Sequence, residues 1–204
     1  MTRRAVVVAA TVAAVLAGGV AWAMNLTVTS QKLGGATLTV PVFFPDSVAT
    51  VNNGNFAGRP QKTDTITVTF SKVILLSTIC AGAPQLTQSA GGFLFTLTDG
   101  GGAVNDSLSI GGGTSCPALH FGSFTLGSPS YVSGAAITFP SSTLAITLAA
   151  STTTVVLTFG TASANPTTVS TATIVKYTPD TAMTDTAARG VGTNTASTIS
   201  AVQF

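Results

Sequence analysis

Residues 64–80 read DTITVTFSKVILLSTIC. From Thr65 to Phe70, threonine alternates with an apolar residue. Successive side chains of an extended chain point to opposite sides, so Ile66, Val68 and Phe70 share one face and Thr65, Thr67 and Thr69 the other. The alternation then gives way to Val73-Ile74-Leu75-Leu76, read as a buried crossing, and the stretch ends at Cys80.

Segments of the same period recur along the chain. Leu26–Val28 and Ala36–Val42 come first, the latter carrying Pro41 as an edge or break signal. Val51–Gly58 reads as a loop, because Asn52-Asn53-Gly54-Asn55 is dense in residues that tolerate positive φ. Further strands are expected at Phe93–Thr98, Ser107–Ile110, Phe121–Leu126, Ala136–Phe139, Leu144–Leu148, Val155–Phe159 and Thr173–Tyr177, with Ile199–Phe204 as a last strand or a tail. Phe93, Phe95, Leu97, Leu108 and Ile110 are expected to face inward. Short strands separated by turn signals, with no helical pattern in the exported part, predict an all-β antiparallel fold, a sandwich or a barrel.

Composition points the same way. Charged residues are 7% of the chain, against about 25% in ordinary globular proteins. Glu is absent and all six acids are Asp, while Ser and Thr make up roughly a quarter of the residues. Apolar residues reach 45%, which separates the chain from disordered sequences. The formal charge of +2 includes Arg3 and Arg4. Without them six bases face six acids, and such a neutral chain has no footprint for a polyphosphate backbone. Nucleic acid is not an expected partner.

Residues 1–23 carry a positive start at Arg3-Arg4, an Ala/Val-rich core and the small-x-small triplet Ala21-Trp22-Ala23. This is the build of a secretory signal helix, with cleavage after Ala23 and one β-domain over residues 24–204. Left uncleaved, the same stretch is long enough to anchor the chain in a membrane. Export to an oxidising compartment makes Cys80 and Cys116 a disulfide pair. Closing a loop of about 35 residues is worth about 3–4 kcal/mol.

Chemistry-bearing residues are few. His120 with Asp99 or Asp106 and a serine has the ingredients of a hydrolytic triad, yet no Gly-x-Ser-x-Gly turn is present, and Leu119-His120-Phe121 reads as strand. Nearly all the aspartates sit beside Gly, Thr or Pro, where turn chemistry is their commoner use. Calcium would draw on Asp46 with Asn52, Asn53 and Asn55, or on Asp180 with Asp185, but neither set has the D-x-D-x-D spacing. No catalytic residue, cofactor site or metal site is expected. Thr65, Thr67 and Thr69 resemble the start of an ice-binding array, which needs many copies at fixed spacing. Along the chain only this copy is clean, so the threonines are read as a solvated face.

The motifs Thr69-Phe70-Ser71, Ser77-Thr78-Ile79 and Phe95-Thr96-Leu97-Thr98, with Tyr177, Pro179, Asp185 and Ala187 near the end, resemble bacterial Ig-like domains of exported surface proteins. The resemblance covers roughly residues 62–190. The sequence departs from the family's pattern at Lys72–Leu75 and at Ala188-Arg189-Gly190. The resemblance implies an Ig-like β-sandwich serving as stalk, spacer or adhesive module without catalysis. The expected function is a structural or adhesive role at the cell surface, with other surface or matrix components, or further copies of the chain, as partners. Two alternatives are a filament subunit that donates Leu26–Ser30 as a strand to its neighbour, and a secreted carbohydrate- or matrix-binding module.

Overall fold

The stretch Thr65–Phe70 forms strand β2, with Ile66, Val68 and Phe70 fully buried and the three threonines partly open to solvent. The computed structural model describes residues 43–80, 90–114 and 116–204. The leader with Ala21 and Ala23, and the strands expected at Leu26–Val28 and Ala36–Val42, lie outside the described residues. Around β2 stand β1 (Pro45–Val51), β3 (Ala90–Thr98), β4 (Ser107–Gly111), β5 (Gly122–Thr125), β6 (Ile137–Leu148), β7 (Thr153–Thr158), β8 (Lys176–Pro179) and β9 (Ala196–Ser197). A single helical turn, α1 (Leu76–Ile79), follows β2.

Every pairing is antiparallel, and the strands form one sheet in the order β1-β2-β7-β6-β3-β4-β5-β8-β9. The sheet curls until it is nearly closed into a barrel. Across the remaining gap Gly192 N–H donates to the Phe43 carbonyl at 2.8 Å and the Thr50 hydroxyl to Gln203 Oε1 at 2.5 Å. The all-antiparallel β expectation holds. The two separate sheets of an Ig-like sandwich are replaced by one continuous sheet, and the reason lies in β6.

Strand β6 joins what the sequence divides into Ala136–Phe139 and Leu144–Leu148. It pairs with β3 from Ile137 to Leu144 (Phe139 opposite Phe95, Leu144 opposite Ala90) and, on its other edge, with β7 from Thr143 to Leu148 (Leu144 opposite Leu157). The β3 ladder is bulged at Pro140-Ser141, where the register slips between Phe93 opposite Ser142 and Phe95 opposite Phe139. Pro140 has no N–H to give the ladder, and Ser141 takes φ 57°. Ser142 fixes this bulge from inside. Its buried hydroxyl donates to the Phe139 carbonyl at 2.7 Å and accepts Gly160 N–H at 2.9 Å. A side chain at Gly160 would place its first carbon 2.0 Å from the Pro140 carbonyl oxygen, so the chain must be bare there.

Within the curl the inward residues meet in two aromatic groups. Phe70, Phe121, Phe124 and Tyr177 pack with centroids 5.0–6.5 Å apart, and Phe43 joins through Phe70. Phe159 gathers Phe95, Phe139 and Phe204, and Tyr131 packs edge-on against Phe204. Each buried Phe contributes on the order of 1.5–3 kcal/mol by leaving water, and edge-on contacts add to that. Phe93, Phe95, Leu97, Leu108 and Ile110 all face this core, as expected.

Two expectations are corrected. Val51, read as the start of a loop, instead ends strand β1, in which Val48 points inward while Ala49 and Val51 point out. The run Val73–Leu76 is only partly a buried crossing. Ile74 is buried and bridges Asp185, whereas Leu75 is 38% exposed and α1 begins at Leu76. The crossing does deliver Cys80 to its disulfide with Cys116, Cα atoms 5.6 Å apart and both residues buried.

Two stability outcomes follow from these joints. Ser142→Ala leaves Gly160 N–H and the Phe139 carbonyl without their buried partner, and a loss of about 1–3 kcal/mol is expected in urea unfolding. Replacing both cysteines by serine removes the 36-residue cross-link; a loss of up to about 4 kcal/mol is expected in the same measurement, and an unchanged midpoint would argue that the bridge adds nothing.

Candidate functional site

His120 lies just beyond the pairing of Leu119 with Cys80, and its N–H donates to the Ile79 carbonyl at 2.8 Å. Its Nδ1 stands 3.3 Å from Asp180 Oδ2, with both side chains partly exposed. The triad weighed from the sequence is not assembled, because Asp99 and Asp106 are engaged elsewhere. Asp99 accepts Gly101 and Gly134 N–H at 2.7 Å each. Asp106 accepts Val132 N–H at 2.9 Å and Gly100 N–H at 3.1 Å.

The same use recurs at the other carboxylates. Asp64 is fully buried and accepts three backbone N–H groups at 2.8 Å, from Asn53, Gly54 and Gln61. Asp180 accepts Ala182 N–H. Asp185, 1% exposed, accepts Ala187 and Arg189 N–H and the Arg189 guanidinium, whose terminal nitrogen lies 2.7 Å away. Five of six aspartates thus hold turns, as turn chemistry leads one to expect. That three of them, Asp64, Asp106 and Asp185, are buried was not legible from their neighbours in sequence.

Of the residues weighed for calcium, Asn52, Asn53, Asp180 and Asp185 are engaged with backbone groups. The Asn52–Asn55 loop turns its N–H groups inward onto Asp64, so the loop and the carboxylate satisfy each other. Asp180 and Asp185 are separated in role, one beside His120 and the other clasped by Arg189. Among the described residues no group of three or more His, Cys or Asp side chains is placed to hold a metal ion. Among them, too, no helix is long and apolar enough to cross a membrane.

Electrostatics separate the buried acids. Burial pushes Asp64 above the ordinary carboxylate range, against the pull of its three N–H donors. At Asp185 burial also acts upward, but the Arg189 guanidinium and the Arg189 and Ala187 N–H groups outweigh it and hold the carboxyl low. The N–H groups of Gly134 and Gly101 lower Asp99. Burial, with the Asp180 charge adding to it, pushes Tyr177 well above the ordinary phenol value. Its hydroxyl donates to the Phe121 carbonyl inside the core. This tyrosine is thus a structural group.

Comparison with known proteins finds no matching family model, no matching curated protein and no matching solved structure.

The carboxylates carry two predictions. Asp64→Ala strands three N–H groups, and a loss of about 2–4 kcal/mol is expected in chemical denaturation. For pH, a lowered folded pKa stabilises above the unfolded value of 3.8 and is lost as pH falls through the folded one. Asp185 and Asp99 act in this sense, while raised Asp64 acts oppositely and gains as pH falls. Melting curves taken from neutral pH downward should therefore show Asp185→Asn less stable than wild type at neutrality. Its deficit should narrow below pH 3.8; a constant deficit at all pH values counts against the assignment.

Proposed function

We propose that the protein is an exported, non-enzymatic β-domain with a structural or adhesive role at the cell surface. One observation carries the reading: the cysteines and nearly all the aspartates are bound up in holding the fold. Both cysteines form one buried cross-link, and five of six aspartates accept backbone N–H groups in turns. The cross-link fits an oxidising compartment, and the leader fits the route to it. A surface covered by threonine and serine stays hydrated without net charge, which suits a stalk, spacer or contact module.

The second reading, a filament subunit built by strand addition, is favoured by the sheet's ending, among the described residues, in β1 and β9 instead of closing fully. Light scattering of the correctly processed protein separates the two: particles growing with concentration support the filament, and a monomer removes it.

Expressed with its own leader, the protein is expected outside the cytoplasm, accessible to a surface label and with no thiol that reacts with alkylating reagent until it is reduced. Cytoplasmic protein with two alkylatable thiols overturns the proposal.

A further inference from the structure

The outer face of β1, β2, β7 and β6 is a two-dimensional array. Pairing is directly opposite across all four strands, and three rows result. Ser47, Thr69, Thr154 and Thr147 form one, Ala49, Thr67, Val156 and Ala145 the next, and Val51, Thr65, Thr158 and Thr143 the third. All twelve side chains are exposed or partly exposed. Seven are threonine, one is serine and four are Ala or Val, so none is charged. Strand geometry spaces the rows at about 6.6–6.8 Å and the columns at about 4.7–4.9 Å.

We propose that this face binds the surface of crystalline ice. Each threonine presents a methyl and a hydroxyl at a fixed place, because β-branching leaves few rotamers and a strand fixes the direction. The hydroxyls can take part in an ordered water lattice, and the methyls disfavour the disordered water that competes with it. An ionised group would hold its own hydration shell and break the register, and the face has none. The case against such a face from sequence was that only one threonine ladder is clean along the chain. That objection is met laterally: β7 and β6 each supply two threonines in register with the ladder, Thr154 and Thr158, and Thr147 and Thr143. The rival occupant, a sugar polymer, gains nothing comparable, because the face presents no aromatic ring for a sugar to stack on. The inference goes beyond the surface role and does not depend on it.

Sheet twist and the curl toward a barrel limit the match. Neighbouring strands are rotated by about 20–25°, so a flat lattice fits best over the central pair β2–β7 and less well at β1 and β6. This gives the claim an internal gradient. The oxidised full-length protein, fluorescently labelled, is frozen slowly from dilute solution, and its partition into the growing ice is measured. Ice-crystal shape is recorded in parallel. Wild type is expected to enter the ice and to facet the crystals. Thr67→Lys, at the centre of the array, should reduce partition at least tenfold, and Ser47→Lys on β1 should reduce it less. Ser123→Lys, exposed on the distant β5, should leave it unchanged. Thermal melts establish that the variants fold, and Thr158→Lys on β7 replaces Thr67→Lys should that variant melt early. Rejection of wild type from ice overturns the proposal, and so does full partition by Thr67→Lys. With no entry into ice, dimers abolished by Thr67→Lys overturn it in favour of a self-interface. Retention on insoluble cellulose or chitin abolished by that variant overturns it in favour of a sugar polymer.

Discussion

A carboxylate taken out of water must be met by positive charge or by hydrogen-bond donors, and this chain has few cations to spare. Its answer is the backbone. Three N–H groups converge on Asp64 and two on Asp106, while Asp185 has two together with the single guanidinium of Arg189. Each carboxylate ties residues that neither strand ladder can reach. Asp64 joins the loop after β1 to the start of β2. Asp106 joins the β3–β4 turn to the segment after β5. Asp185 closes the turn that bridges back to Ile74 ahead of α1. The loops of a curled sheet have to be held at both rims, and here short acidic side chains do it from within.

The curl depends on a second, local device. Strand β6 lies between β3 and β7, and it is bulged at Pro140-Ser141 with Ser142 and Gly160 fixing the corner. Because the same strand continues through the corner, the two halves of the sheet remain hydrogen-bonded to each other. Two sheets facing each other would need only side-chain packing between them. The single sheet adds a covalent and hydrogen-bonded hinge, and the aromatic groups around Phe70 and Phe159 fill the space it encloses.

Most of the strands were legible in sequence because their alternation reports a buried face, and Ile66, Val68, Phe70, Phe95 and Leu97 are where that reasoning places them. Strand β1 was not legible, since its outward residues include Ala49 and Val51 and its inward ones include Thr50, which blurs the contrast. The unity of β6 was hidden by Pro140, a residue that ordinarily ends a strand and here occupies a bulge. Sheet order could not be read either. Alternation says which way a side chain faces and nothing about which strand lies beside it. The site residues divide in the same manner. The turn role of the aspartates follows from their neighbours, but the burial of Asp64, Asp106 and Asp185 depends on segments distant in sequence.

The array on β1, β2, β7 and β6 is the sharpest case of that limit. A repeat written along the chain is found by comparing one segment with the next. A repeat written across a sheet has no fixed period in sequence, because the strands that carry it are joined by connections of unequal length. Thr65-x-Thr67-x-Thr69, Thr143-x-Ala145-x-Thr147 and Thr154-x-Val156-x-Thr158 are in phase only once β2, β7 and β6 are placed side by side. Each ladder alone is the ordinary outer face of a strand. Their register turns three ordinary faces into one surface with order in two directions, which is a property of the fold and of no single segment.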